Sequence, residues 1–107
     1  MERIKLGNIY WLKTENDIAH PHVVIKLDHE KVTVCAITTN AKKVNMPGNV
    51  VLDLGEGNLD KQSIVEVSKV ITLDESQLTQ LIGTLSEHRV IEILKGIRFL
   101  ENTYFNS

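Results

Sequence analysis

Residues 19–40, AHPHVVIKLDHEKVTVCAITTN, carry the strongest strand pattern of the chain. Two runs rich in β-branched residues alternate at period two, and a short polar segment at 28–31 separates them. This pattern predicts a β-hairpin. A register in which Asp28 faces Lys31 and Ile25 faces Val34 makes one face of the hairpin uniformly apolar, as packing against a core requires.

The same register predicts which side chains meet at the open end of the hairpin. It pairs His22 with Ile37, Pro21 with Thr38 and His20 with Thr39. Two imidazoles and two hydroxyls are then gathered within a few side-chain lengths of one another. If the protein carries out chemistry, we expect the site at this end of the hairpin.

Further strands are predicted on both sides of the hairpin. Aromatic and β-branched residues at 7–12 and 50–52 favour short strands. Residues 63–73, SIVEVSKVITL, predict one long strand or two short strands with a bend at 68–69. No crossover helix lies between these segments, so antiparallel pairing is expected.

The last third of the chain changes its apolar period and predicts two helices. Asp74 and Gln77 have the spacing of a capping box, and the first helix is expected to begin there and end near Gly83. Ser86 is the expected N-cap of the second helix. The predicted fold class is therefore mainly β with C-terminal helices, a small, strongly bent antiparallel sheet or partly open barrel followed by two helices.

Composition bounds the class of protein. The chain has 107 residues, which predicts a single domain over residues 1–107. Its net charge of −2 and pI near 6.1 do not suggest a general nucleic-acid coat protein, although a local basic groove is compatible with them.

Cys35 is the one cysteine and is expected to pack as a small apolar side chain in a reducing compartment. No apolar run has the ~20 residues that span a bilayer, so a cytoplasmic protein with no membrane contact is expected.

Several chemical motifs are missing from the sequence. It contains no GxGxxG, no P-loop, no HExxH and no nucleophile elbow. His20 and His22 have no Cys or further His nearby in sequence to complete a metal site. We therefore expect no metal and no cofactor.

The open end of the hairpin could instead cleave RNA. Attack by a ribose 2′-OH needs a base at that hydroxyl, an acid at the leaving 5′ oxygen and donors for the charged phosphate. Imidazoles suit the proton transfers near neutral pH, and hydroxyls or ammonium groups suit the phosphate. The candidates are His20, His22, Thr38, Thr39, Lys42 and Lys43. The alternative is that the histidines are solvated edge residues and that the threonines only favour strands.

A series of short motifs in the same order resembles the PemK/MazF family of toxins from type II toxin–antitoxin systems. GNIYW at 7–11 is similar to that family's G-D-I/V-Y-W/F strand, and PHVVI at 21–25 to its R-P-V-V-V strand. AITT at 36–39 is similar to its P/A-I-T-S/T segment. SIV at 63–65 and VITLD at 70–74 resemble its D-S-V-V and I-R-T-I-D segments. The resemblance covers roughly residues 4–100.

The resemblance implies a fold, an activity and partners. It implies a homodimeric SH3-like barrel of the CcdB/Kid/MazF type. It also implies a growth-inhibiting, sequence-selective and metal-independent endoribonuclease that cleaves single-stranded RNA, including mRNA. A cognate antitoxin protein would neutralise it by laying a flexible tail across the RNA groove.

The resemblance also implies site residues. The family's catalytic threonine corresponds to Thr38, and His20 stands where the family has an arginine. Ile71 stands where the later segment has Arg, and Gln62 replaces an Asp. Thr38 and His20 are therefore the expected catalytic residues, and His22, Thr39, Lys42 and Lys43 the expected substrate-binding residues. The alternative is a divergent, non-catalytic barrel that acts as a protein-binding or nucleic-acid-binding module.

Overall fold

The computed structural model describes residues 3–13 and 20–102, which form one antiparallel sheet followed by a helix. The strands are β1 (Asn8–Leu12), β2 (His22–Asp28), β3 (Lys31–Thr38), β4 (Val50–Val51), β5 (Ile64–Asp74) and β6 (Leu78–Thr84), and the helix is α1 (Glu87–Leu100). Short 3₁₀ turns occupy Ala41–Asn45, Glu56–Asn58 and Glu75–Gln77. The hydrogen-bonded order is β4-β5-β3-β2-β1-β6, which makes β4 and β6 the edge strands.

The predicted hairpin is confirmed, but its register is correct only near the tip. Asp28 pairs with Lys31 as expected, and an irregularity between Val24 and Lys26 then shifts the pairing by one residue. Val24, rather than Ile25, faces Val34. A bulge sets two residues of one strand against one of its partner, so strict alternation ends at this point.

The bulge is compatible with burial because both faces of the sheet cover a core. Ile25 and Val23 belong to the main cluster beneath α1, which also contains Ile93. Val24 belongs to a second cluster with Val34 on the opposite face. Apolar residues are therefore buried on both sides of the bulge, and alternation alone could not fix the register.

The prediction of the first C-terminal helix is wrong. Asp74 N does donate to Gln77 Oε1 (3.3 Å). This pair encloses only a single 3₁₀ turn, however, and the chain then enters β6. Against β1, strand β6 has two register irregularities, with Tyr10 opposite Leu81 and Leu12 opposite Leu78. The extra residues make apolar side chains recur at intervals of three rather than two. That spacing imitates a helix in the sequence.

The other elements follow the sequence more closely. β5 is one strand, and its irregularity against β3 falls between Val65 and Val70, where a bend was predicted. The final helix, α1, is confirmed, since Ser86 Oγ accepts a hydrogen bond from Arg89 N (3.2 Å). None of the helices formed by residues 3–13 and 20–102 has the length and apolar character needed to cross a bilayer.

The turn between β4 and β5 gives the sheet a barrel-like closure. Asn58 Nδ2 donates to the carbonyl of Ile82 in β6 (2.9 Å), at the opposite edge of the sheet from β4. A Cβ at Gly83 would collide with the carbonyl oxygen of Gly57, so the two backbones approach as closely as glycine allows. This contact brings residues 58–61 beside the open end of the β2–β3 hairpin.

Candidate functional site

A cavity of about 490 Å³ lies at the open end of the β2–β3 hairpin. One wall, here called the hairpin wall, consists of His20, Pro21, Ile37 and Thr39. The facing residues 58–61, which include Asp60 and Lys61, are called the turn wall. Trp11 of β1, Ile82 of β6 and Ser63 complete the lining. The cavity therefore draws on five separated parts of the chain.

The bulge in β2 decides which residues come level at the hairpin wall. Ile37 N donates to the carbonyl of Pro21 (2.9 Å), so Pro21 faces Ile37 rather than Thr38. Continuing this register brings His20 level with Thr38. The prediction, which assumed a ladder without a bulge, had paired His20 with Thr39. The predicted pairings of His22 with Ile37, Pro21 with Thr38 and His20 with Thr39 are thus each wrong by one residue.

Of the predicted catalytic pair, His20 lines the cavity and Thr38 lies behind the wall. His20 is exposed, whereas Thr38 is only 8% exposed. Thr38 Oγ1 accepts a hydrogen bond from Asn40 N (3.1 Å). An accepted bond leaves the hydroxyl hydrogen available as a donor. Thr39, predicted to bind substrate, is exposed and lines the cavity beside His20.

His22 supports the hairpin wall from outside the cavity. Its Nδ1 lies 2.7 Å from the backbone carbonyl of His20, and Nδ1 is the donor because a carbonyl only accepts. Burial lowers the pKa of His22 below the ordinary value of 6.5, while the bond to the His20 carbonyl opposes the shift and the charge of His20 adds to it. At neutral pH, His22 is therefore an uncharged ring that fixes the backbone before Pro21.

The two lysines predicted to bind substrate are outside the cavity. Lys42 and Lys43 lie in the Ala41–Asn45 turn, which Asn40 caps by accepting a bond from Lys42 N (3.0 Å). This turn follows the end of β3, and neither lysine is among the residues that line the cavity. They offer positive charge next to the site rather than in it.

Sequence reasoning missed Lys61 and Asp60, both of which line the cavity. Lys61 supplies an ammonium group to the cavity, and Trp11 supplies a half-buried aromatic surface. The turn wall reaches the hairpin only because the preceding turn rests on β6. With residues 78–84 interpreted as a helix, no sequence signal connected Lys61 to His20.

Cys35 is too deeply buried to act as a nucleophile. It is 0% exposed, and its Sγ donates to the carbonyl of Glu66 (3.0 Å). Burial, with a contribution from the charge of Glu66, raises the pKa of the thiol to about 12. Among residues 3–13 and 20–102, no group of three or more His, Cys, Asp or Glu side chains is arranged to hold a metal ion.

The fold and the cavity define a small barrel-like β protein with a polar site at one hairpin end, and comparison with known proteins gives its family. Residues 5–100 match the family model described as "PemK-like, MazF-like toxin of type II toxin-antitoxin system". The chain belongs to this family.

Two relatives illustrate the similarity in sequence. Endoribonuclease MazF of Staphylococcus epidermidis is 31% identical over 101 residues, which cover 84% of this chain and 84% of the relative. Endoribonuclease MazF6 of Mycobacterium tuberculosis is 33% identical over 67 residues, which cover 63% of this chain and 59% of the relative. The aligned part of the chain thus spans less than two thirds of the mycobacterial relative's length.

Solved structures show the same fold. An endoribonuclease in complex with its cognate antitoxin from a mycobacterial species has a TM-score of 0.77 at 15% identity, covering 96% of this chain and 99% of that chain. The MazE-MazF crystal structure (Form-II) from Deinococcus radiodurans has a TM-score of 0.74 at 17% identity, covering 94% and 96%. At these identities the likeness concerns the fold alone.

Proposed function

We propose that the chain is a toxin endoribonuclease that cleaves single-stranded RNA, including mRNA, sequence-selectively and without a metal ion. One observation carries this proposal: a single cavity combines the imidazole of His20, the hydroxyl of Thr39, the ammonium of Lys61 and the aromatic face of Trp11. These are the groups that proton transfer, phosphate binding and base stacking require. Cellular RNA as substrate makes the cytoplasm the proposed site of action.

In the proposed reaction, the RNA supplies its own nucleophile. His20 takes the proton of the 2′-OH, the 2′ oxygen forms a bond to phosphorus, and the bond from phosphorus to the 5′ oxygen breaks. Water at the open cavity protonates the leaving 5′ oxygen. The products are a 2′,3′-cyclic phosphate and a fragment with a 5′-OH.

Hydroxyl and ammonium groups stabilise the charge that develops on the phosphate. Thr39 donates from the cavity wall, and Thr38 donates its hydroxyl hydrogen once substrate reaches the rim. Lys61 takes the part that a permanently charged arginine plays in the family, since His20 stands at that arginine's position. Lys42 and Lys43 contact phosphates further along the strand.

Selectivity for a base is proposed to arise at Trp11 and on the turn wall. An unpaired base stacks on Trp11. Asn58 and Asp60 offer an amide and a carboxylate for hydrogen bonds to the edge of that base, which is how single-stranded RNA is read.

We also propose that the chain forms a homodimer and binds a cognate antitoxin. Large apolar side chains stay exposed on β5, β6 and α1, namely Ile71, Leu81, Ile91, Leu94 and Phe99. Such surface is typical of contacts with another chain. The mycobacterial neighbour in complex with its antitoxin supports the second partner by analogy.

Cleavage of total RNA by the purified chain in EDTA tests the activity. We expect fragments with 5′-OH ends, and His20→Ala should lower the rate about 100-fold or more, as loss of a proton-transfer group does. Thr39→Ala should lower it about tenfold. Absence of cleavage at micromolar enzyme, or an unchanged rate for His20→Ala, would overturn the proposal.

A binding module without catalysis is the second candidate. It is favoured by His20 at the family's arginine position and by Ile71, 47% exposed, at another. Tight binding of single-stranded RNA without any cleavage would support it. Loss of that binding as salt is raised would identify phosphate contacts as its basis.

A further inference from the structure

An ion-pair cluster ties the turn before the turn wall to the start of α1. Arg89 donates from Nε to Glu56 Oε2 (2.8 Å) and from Nη2 to Glu56 Oε1 (3.0 Å). This is a two-bond pair, and the side chains are only 17% and 21% exposed. Such planar, partly buried pairs fix geometry in a way that single exposed pairs do not.

Glu56 connects this pair to the backbone of the turn. Its Oε1 also accepts a hydrogen bond from Asp53 N (2.8 Å). The turn takes a left-handed conformation at three residues, with φ of 87° at Gly55, 63° at Gly57 and 63° at Asn58. A left-handed conformation at a residue with a side chain is uncommon and persists where surrounding contacts impose it.

This turn leads straight into the cavity. Asn58 ends it and is the first residue of the turn wall, and Lys61 is three positions further along. Leu59, between them, is only 8% exposed, so the segment is anchored in the core at one point. Rotation of the turn about that point would move the ammonium group of Lys61 relative to His20.

We propose that Arg89 and Glu56 are positioning residues for the candidate site, because their ion pair holds the turn wall against the hairpin wall. The inference rests on the proposed RNA cleavage and adds two residues that do not touch the cavity. It also assigns a positioning function to the start of α1.

Charge balance explains why a neutral residue in place of Arg89 should release the turn. Its guanidinium faces three carboxylates, since Nη1 contacts Glu92 Oε1 (3.1 Å) and Nη2 lies 3.6 Å from Asp53 Oδ2. Removing Arg89 leaves the carboxylates of Glu56 and Asp53 on the turn facing that of Glu92 on α1. The helix itself keeps its cap at Ser86 and its buried residues, so the turn is the part that moves.

The test measures cleavage of one short RNA by the full chain, well below its thermal midpoint. Arg89→Met and Glu56→Gln should each lower kcat/KM about tenfold, mainly through kcat, because the phosphate contact is displaced. Arg89→Lys keeps the charge but loses the planar fork, so its kcat/KM should lie between that of wild type and that of Arg89→Met. Glu92→Gln, which removes another contact of Arg89, should stay within about twofold of wild type.

Two controls separate positioning from stability and from the chemistry itself. Ile93→Val weakens the core from the same helix and should leave kcat/KM unchanged. The double variant Arg89→Met/Lys61→Met should be no worse than Lys61→Met alone, because both changes remove the same contact. If the two losses multiply, or if Ile93→Val mimics Arg89→Met, the inference is wrong. If wild type does not cleave at all, the proposed function fails first and this role fails with it.

Discussion

The two walls of the cavity are held in place by different kinds of contact. The hairpin wall rests on backbone bonds between β2 and β3, such as the bond from Ile37 N to the carbonyl of Pro21. The turn wall rests on side chains that reach distant segments, Asn58 to Ile82 and Glu56 to Arg89. Backbone hydrogen bonds between strands survive most single substitutions. Each side-chain contact of the turn, in contrast, is lost when one residue is substituted. The proposed proton transfer by His20 therefore lies on the firm wall, and the proposed phosphate contact of Lys61 lies on the wall that mutation can move.

The largest expected effect comes from separating the turn from β6. Gly83→Ala places a methyl group against the carbonyl of Gly57 and against Asn58, so backbone has to shift. Overpacking of this kind should lower the free energy of unfolding by about 3 kcal/mol, as measured by urea titration.

Gly55→Ala is the matched control for that collision. Nothing lies within 4 Å of a Cβ at Gly55, although its φ is 87°. Only backbone strain applies there, and the expected cost is about 1 kcal/mol. Equal losses at the two glycines would show that crowding at Gly83 is not what holds the turn.

The next effect distinguishes the lysine in the cavity from those outside it. Lys61→Met should lower kcat/KM about tenfold, chiefly in kcat, because it removes charge from the phosphate in the transition state. Lys43→Met should raise KM and weaken its dependence on salt, with kcat nearly unchanged. If steady-state kinetics instead show a loss of kcat for Lys43→Met and a raised KM for Lys61→Met, the turn after β3 stabilises the transition-state phosphate.

Acid should weaken the ion pair that holds the turn wall. The bond from Arg89 lowers the pKa of Glu56 below its ordinary value of 4.5, against the opposing effect of burial. A lowered carboxyl pKa contributes stability that is complete above the unfolded value and is lost as pH falls through the folded value. Wild type should exceed Glu56→Gln by about 1 kcal/mol at pH 7, and that difference should shrink below about pH 4.5. If the difference in free energy of unfolding between wild type and Glu56→Gln does not change with pH, the charge of Glu56 is not its source.

The smallest effect concerns His22 behind the hairpin wall. Its folded pKa is lowered, so the unfolded chain takes up a proton first as pH falls below 6.5. Wild type should therefore lose a fraction of a kcal/mol between pH 7 and pH 5 relative to His22→Gln, whose amide can still donate to the carbonyl of His20. Parallel stability curves for the two proteins would contradict this assignment.

Sequence located one wall of the site and not the other, for a physical reason. His20 and Thr39 lie close together because they flank two strands joined by a tight turn, and local pairing of that kind leaves a clear alternating pattern. Lys61 reaches them through a turn seated on β6, whose bulges gave its apolar residues the spacing of a helix. Contacts between segments far apart in the chain leave no periodicity, so the turn wall was beyond prediction.

The exact pairing inside the site was also beyond prediction. Both faces of β2 are buried near Ile25, so the hydropathy of that segment does not reveal which residue is the extra one. Ordinary alternation then assigned Thr39 rather than Thr38 as the residue level with His20. The error is one residue, and it moves the expected pairing from an exposed threonine to a buried one.

The bulge at Ile25 has a consequence for how the gene tolerates length changes. The tip of the hairpin is exposed, with His29 already in a left-handed conformation (φ 57°), so an added residue there can be absorbed by a longer loop. A codon gained between positions 23 and 25 has no such outlet, because the strand would have to hold a second extra residue to keep His20 level with Thr38. Libraries of single-codon insertions should therefore survive at the tip and fail a few residues upstream, even though every original side chain is still present.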